Sequence, residues 1–429
     1  MAEIKTYSGK YLTPKLVKSC FVKNTITSVD KTLCGNGFST SFLKLKPEKG
    51  KLNILIAPNK AVVLSKQKDY NAKLLDSTNR IKFFYLESTE FDFTDADILF
   101  FVSDSFLMMK DKISKITTLI DKILIDEYHS IEIQSLFRKN LVDFPKIVKQ
   151  LCPHKNTSTV TVTASPNLYA NVDVKLKPDH IPPTVIHMEY DKAKTFKRIK
   201  DDIADKKEVV VFTNSSRNIY SIRDNHGTVT ARFIVGSSFL QSLYEVVQVQ
   251  EKESAKLTIV SGRGFEGFDI NYENANVYFL EDRATKFQTF YLSNLYQALS
   301  RTRSGATYIE YCRQNLSHKR STPYANINKT VTKFIRNKIL SVENKQKKEH
   351  SDLHPFVVFN QNSEGTFTIS KNQAAIDLLQ ETILYDNLAF TNAFDQFLQE
   401  RNIEIIPCQR PKKNYKPYLC RYQSQKPIR

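Results

Sequence analysis

The sequence predicts an α/β protein: two parallel-sheet layers in tandem, followed by a basic, mainly helical C-terminal extension. Three observations lead there. Short apolar runs rich in β-branched residues alternate with helical stretches through residues 1–183. The pattern restarts over 184–315, after Pro178, Pro182 and Pro183. From 316 onward the chain turns strongly basic, so 316–429 is set apart as the extension.

Ile26 to Asp30 reads as a first strand. It feeds the loop Lys31-Thr32-Leu33-Cys34-Gly35-Asn36-Gly37-Phe38-Ser39-Thr40, whose glycines would let backbone N–H groups converge on a phosphate. The spacing is that of a P-loop, with Ser39 or Thr40 as the Mg²⁺ ligand. Phe38 occupies the position where such loops carry lysine, and Lys31 is the nearest cation able to reach the phosphates in its place. A strand-to-helix turn that uses glycine for geometry alone has the same spacing.

Leu52 to Ala57 is a second strand, ending at Pro58-Asn59 with a helix expected from about Lys60. Asp97 to Val102 has the same build and runs into Ser103-Asp104-Ser105. Ile123-Leu124-Ile125 is apolar without alternation, as in a strand buried on both faces, and ends in Asp126-Glu127-Tyr128-His129. Carboxylates at the carboxyl end of such a strand stand where open α/β sheets bind ligands. Asp126 there could hold a metal, usually through water, and Glu127 could orient or deprotonate a water. Alone, the stretch fits a strand and polar turn equally well. Ser158 to Thr163 closes the first layer and leads into Ala164-Ser165-Pro166.

In the second half, Val209 to Phe212 is a strand ending in Thr213-Asn214-Ser215, and Thr228 to Val235 is another. Leu257 to Val260 feeds a glycine-rich loop containing Ser261, Gly267 and Asp269. Asn276 to Leu280 follows, then a helical stretch bearing Gln297, Ser300, Arg301 and Arg303.

Lys and Arg number 63 against 45 Asp and Glu, a net charge of +18 that calls for a polyanionic partner, nucleic acid first. Residues 408–429 carry seven basic residues and no acid, interleaved with Tyr415, Tyr418 and Tyr422. Cations with aromatics can follow a phosphate backbone and stack bases, although a solvated basic tail has the same composition. A membrane partner is not expected, since no uncharged apolar run approaches the roughly 18 residues a spanning helix needs. The polar start MAEIKTYSGK shows no secretory signal, and six scattered cysteines without a CxxC pair fit free thiols in a reducing cytoplasm.

In this order, the signals resemble those of superfamily 2 helicases of the DExH type, over about residues 25–310. Asp126-Glu127-x-His129 is similar to their Walker B motif, and Gly35 to Thr40 to motif I. Ala57-Pro58 resembles motif Ia, Ser103 to Ser105 motif Ib, and Thr163 to Pro166 motif III. Val211 to Ser215 is similar to motif IV, Ser261 with Gly267 and Asp269 to motif V, and Gln297-x-x-Ser300-Arg301-x-Arg303 to motif VI in the compact form of viral and phage origin-binding helicases. Phe38 for lysine and Ser300 for glycine are the two departures.

The resemblance implies two RecA-like domains that bind ATP and Mg²⁺ in the cleft between them. Lys31, Gly35, Asn36, Gly37, Phe38, Ser39, Thr40, Gly267 and Asp269 would then line the nucleotide, with Ser39 and Asp126 on the metal. Glu127 would handle the water, His129 would couple the nucleotide to the second domain, and Gln297, Arg301 and Arg303 would act from that domain. Pro58, Asn59, Ser103, Ser105, Asn214, Ser215 and Ser261 would contact single-stranded or forked DNA, or RNA. The lysine-poor loop and a composition of AT-rich style suggest a phage or mobile-element source, with replication or other phage proteins as partners in the host cytoplasm. Two alternatives stay open: a hydrolysis-deficient, nucleotide-responsive nucleic-acid-binding protein, and a phage structural or packaging factor.

Overall fold

The structure, a computed structural model, describes residues 2–85, 91–135, 138–151, 157–164, 171–213, 215–225, 231–234, 257–261, 274–281, 292–300, 306–312, 357–361, 367–371 and 397–407. The first half contains β1 (Glu3–Tyr7), α1 (Pro14–Lys18), β2 (Ile26–Asp30), α2 (Phe38–Leu43), β3 (Leu52–Ala57), α3 (Lys60–Asn71), β4 (Ile81–Phe84) and β5 (Ile98–Val102). Then come α4 (Ser103–Met108), α5 (Lys110–Ser114), β6 (Ile120–Asp126), α6 (Tyr128–Gln134), α7 (Phe144–Leu151), β7 (Ser158–Thr163) and β8 (Val174–Pro178). These eight strands form one parallel sheet in the order β1-β8-β2-β7-β6-β3-β5-β4.

All five expected strands are present and occupy the contiguous interior run β2-β7-β6-β3-β5. The three additional ones, β1, β8 and β4, lie toward the edges, where one side of the backbone or one face meets water and no apolar run is required. The middle strands are buried on both faces, so neighbouring residues serve opposite cores. Leu124 packs with Phe38, Phe42 and Val160 on one face; Ile123 and Ile125 pack with Phe101, Phe106 and Phe144 on the other.

The second half holds β9 (Thr184–Glu189), α8 (Lys192–Ala204), β10 (Val209–Thr213), α9 (Ser216–Asn225), β11 (Ala231–Ile234), β12 (Leu257–Val260), β13 (Ala275–Leu280), α10 (Leu292–Leu299) and β14 (Ala306–Cys312). Of the extension, the described residues form β15 (Val357–Gln361), paired antiparallel with β16 (Phe367–Lys371), the helical turn 397–400 and β17 (Ile403–Pro407). The second parallel sheet runs β11-β12-β10-β13-β14-β9-β17. Its edge strand β17 thus comes from residues the sequence assigns to the extension. The described chain thus holds two parallel α/β sheets in tandem, and Cys34 and Ala164 of the first half pack into the core of the second, beside Tyr296, Ala298 and Phe397. No helix among the described residues is long and apolar enough to cross a membrane.

Candidate functional site

Strands β2, β7 and β6 are neighbours, registered with Asp30 opposite Thr163 and Asp126 opposite Val162. Parallel strands in register end on the same edge. The residues that follow, Lys31, Ala164 and Glu127, therefore meet although they lie far apart in sequence.

Lys31 is 4% exposed and places its Nζ 2.6 Å from Glu127 Oε1 and 3.4 Å from Asp126 Oδ1. Burial works against its charge, but the two carboxylates outweigh that cost and raise its pKa above the ordinary lysine value. Asp126 also accepts a bond from the Ser39 hydroxyl and, at 3.0 Å, from the Glu127 amide. Glu127 is the first residue beyond β6 and adopts φ +45°, a left-handed conformation that is costly for a residue with a Cβ and that turns its side chain toward the site.

The loop explains the missing lysine. Phe38 is the first residue of α2, but its ring is 1% exposed and belongs to the core under the sheet, so this position does not face the carboxylates. Ser39 and Thr40 divide: Ser39 turns to Asp126, whereas the Thr40 hydroxyl accepts a bond from Lys66 of α3 at 3.1 Å. Asn36 braces the loop from inside, donating to the Lys31 carbonyl at 3.0 Å and accepting from the Phe38 amide at 3.4 Å. Gly37 sits at φ +79°, with Tyr11 Cδ1 3.4 Å from where a Cβ would stand. The amides of Gly35 and Gly37 donate no hydrogen bond among the described residues, leaving them able to meet an anion.

The second sheet closes the site from the opposite side. Gln297 on α10, fully buried, donates from Nε2 to Glu127 Oε2 at 3.0 Å, and the neighbouring Tyr296 hydroxyl donates to the Thr32 carbonyl at 2.7 Å. His129, 3% exposed, places Nδ1 2.7 Å from the Thr163 hydroxyl, which itself lies 3.4 Å from Glu127 Oε2. One partner escapes the sequence analysis and a second enters it without a role. Thr163 stands there as a strand end and as the first residue of the stretch resembling motif III. Arg401, which donates to Asp30 and the Ala164 carbonyl, carries no local signal beyond preceding the apolar run Ile403 to Pro407.

Residues expected on the nucleic-acid rim behave differently. Ser103 and Ser105 are 0% and 2% exposed, and Ser103 donates to the Pro58 carbonyl at 3.3 Å. These hydroxyls therefore face the interior between β5 and β3, because α4 starts directly at the strand end and turns its first residues inward. The Asn59 side chain caps α3 through the Val62 amide at 3.1 Å, and Ser215 is buried against the Thr213 hydroxyl at the head of α9. Ser261 is partly exposed. Asn214, Gly267, Asp269, Arg301 and Arg303 lie outside the described residues.

Chemically, the cluster offers one ammonium shared by two carboxylates, a hydroxyl on the first of them and an amide on the second. Its formal charge is one negative, so it can accept a cation. Among the described residues no group of three His, Cys, Asp or Glu side chains is placed to hold a metal.

The sequence matches no protein-family model and no curated protein. The fold is similar to several solved structures. S. cerevisiae Dbp5 bound to RNA and ADP BeF3 has 12% identity and a TM-score of 0.48, over 68% of this chain and 80% of that one. The DEAD-box helicase Mss116 bound to ssRNA and UDP-BeF has 11% identity and a TM-score of 0.47, over 82% and 91%. Mycobacterium smegmatis helicase Lhr bound to ssDNA and AMP-PNP has 12% identity and a TM-score of 0.45, over 70% of this chain and 46% of that one, so this chain spans about half of Lhr.

Proposed function

We propose that the chain is an ATP-dependent nucleic-acid helicase or translocase, acting on single-stranded or forked DNA and hydrolysing ATP between its two domains. The observation that carries this is the convergence of Lys31, Ser39, Asp126 and Glu127 on one sheet edge, with Gln297 of the other domain bonded to Glu127. An acidic pair sharing a buried lysine beside a glycine loop and touched by the partner domain is what a nucleotide switch needs and what a strand-and-turn scaffold does not. The net charge of +18 supports a polyanionic track for such a motor.

Ser39 Oγ and Asp126 would hold Mg²⁺, with the remaining positions left to water and phosphate oxygens. When bound, the ion neutralises charge on the β- and γ-phosphates. Lys31 performs the exchange of partners. Its Nζ leaves Glu127 for the γ-phosphate, supplying the cation that Phe38 does not, and Glu127 is released to hold the attacking water. Gln297 keeps that carboxylate oriented from the second domain, so hydrolysis and domain separation are linked through one side chain. His129 supports Thr163, which supports Glu127, and Arg301 and Arg303 would bring charge to the leaving phosphate from the second domain.

The test is steady-state phosphate release with and without single-stranded DNA. Glu127→Gln should lower DNA-stimulated turnover by about 10²–10⁴-fold, the usual contribution of a general base, while leaving ATP binding intact. Wild-type protein that binds ATP and does not turn it over, indistinguishable from Glu127→Gln, would instead identify a nucleotide-responsive binding protein.

A further inference from the structure

We propose that Arg401 is a positioning residue for the phosphate loop, by which the C-terminal segment ties the second domain to the first at the nucleotide site. Its kinetic consequence rests on the ATPase reading above; the anchoring itself does not.

Arg401 is 2% exposed. Its backbone belongs to the second domain: it follows the helical turn 397–400, precedes β17 on the edge of the second sheet, and is flanked by Leu398 and Ile403, which pack into that domain's core. Its head group belongs to the first. Nη2 lies 3.0 Å from both Asp30 oxygens and donates to the Ala164 carbonyl at 2.8 Å, and Nε donates to the same carbonyl at 3.2 Å. The guanidinium lies over Phe397, 3.8 Å from its centroid, and 5.2 Å from that of Tyr296. Nη1 faces Glu400 at 3.7 Å, which itself pairs with Lys175 of β8.

Both of its targets lead straight to the site. Asp30 accepts the Thr32 amide at 2.7 Å, and the Thr32 carbonyl accepts the Tyr296 hydroxyl, so Thr32 is held between two residues at φ +58°, a conformation that needs such support. Lys31 lies between Asp30 and Thr32. Ala164 follows Thr163, whose hydroxyl touches Glu127 and His129. Arg401 therefore holds the backbone on both sides of the Lys31–Glu127 pair from an element fixed to the other domain. The planar guanidinium reaches the Ala164 carbonyl through Nε and Nη2 and the Asp30 carboxylate through Nη2 in one fixed geometry, whereas lysine presents a point charge on a flexible stem.

The test uses the full chain in four variants: Arg401→Ala, Arg401→Lys, Asp30→Asn and, as a control on the same seam, Lys175→Ala. Two readouts are taken: amide hydrogen exchange over residues 31–37 without nucleotide, and kcat and KM for ATP at saturating single-stranded DNA. Exchange in the loop should rise by about tenfold or more in the Arg401 and Asp30 variants and stay unchanged in the control, because local opening becomes easier. The value of kcat should fall on the order of 10²-fold with KM little moved, the signature of misplacement rather than lost binding, and Arg401→Lys should recover part of it. Where Arg401→Ala does not fold, Arg401→Lys and Asp30→Asn carry the same readouts. Loop exchange equal to wild type in both would overturn the proposal, as would unchanged kcat. Loop exchange that depends on Arg401 in a protein without ATPase would retain the anchor and reject the enzymatic reading.

Discussion

Each of the two sheets carries a cation set between two carboxylates, Lys31 buried in the first and Arg198 partly exposed in the second, and the two are held in different ways. In the second domain Arg198 of α8 lies 2.6 Å from Glu189 and 2.7 Å from Glu310, one nitrogen for each acid. Those acids are also saturated elsewhere: Glu310 accepts from Thr195 at 2.6 Å and Tyr308 at 2.8 Å, and Glu189 from the amides of Tyr190 and Asp191. Burial pushes the Glu189 carboxyl up, but Arg198 and the two amides hold it below its ordinary value. In the first domain the cation is Lys31, an ammonium on a flexible stem, 2.6 Å from one acid and 3.4 Å from the other. A rigid fork with every oxygen satisfied fixes α8 to β9 and β14. A point charge shared unequally can move to a better anion, and a phosphate is one.

The largest test of that contrast removes the mobile cation. Lys31→Ala leaves Asp126 and Glu127 buried without it and should cost about 3–5 kcal/mol in urea unfolding together with ATP affinity, while Lys31→Arg keeps the charge but replaces the compact, mobile ammonium with a rigid planar fork and should fold without hydrolysing ATP. Wild-type ATP affinity in Lys31→Ala would break the comparison. Next, Phe38→Lys restores the usual residue of a phosphate loop at a core position. It should destabilise by about 3 kcal/mol or more with no gain in phosphate release, because the side chain points under the sheet. A gain in turnover would show that the helix can rotate.

A smaller effect is expected in the fixed cluster. Arg198→Lys should lose about 1–2 kcal/mol of stability in the same urea assay and leave ATPase at the wild-type level. The smallest concerns pH. The Glu189 carboxyl is depressed below the ordinary 4.5, so its contribution is complete above that pH and is lost as pH falls below it. Unfolding midpoints measured from pH 6 to pH 3 should fall less steeply for Glu189→Gln than for wild type; equal slopes would remove this cluster from the acid limb.

Much of the first domain's site was legible because its signals are local. An apolar run buried on both faces and ending in two acids marks the end of a central strand, and glycines before a hydroxyl pair mark the loop opposite. The outer strands β1, β4 and β8 were not legible, since a half-covered strand needs no continuous apolar run. Ser103, Ser105 and Asn59 are expected on the rim through the stretches that resemble motifs Ia and Ib. Burial and capping claim the side chains instead, and that is decided by where α3 and α4 begin.

The sequence by itself determined the two-layer architecture and the identity of the acids, because alternation of strand and helix and the end of an apolar run are properties of a few adjacent residues. Only the tertiary structure decided that Lys31 meets Asp126 and Glu127, that Phe38 is core, and that Ser39 rather than Thr40 faces the acids. It also decided that Arg401 reaches Asp30 from 371 residues away. The physical reason is strand order. Which strands stand side by side is set by packing across the whole sheet, and that order, not spacing along the chain, brings charges at their ends within reach of one another.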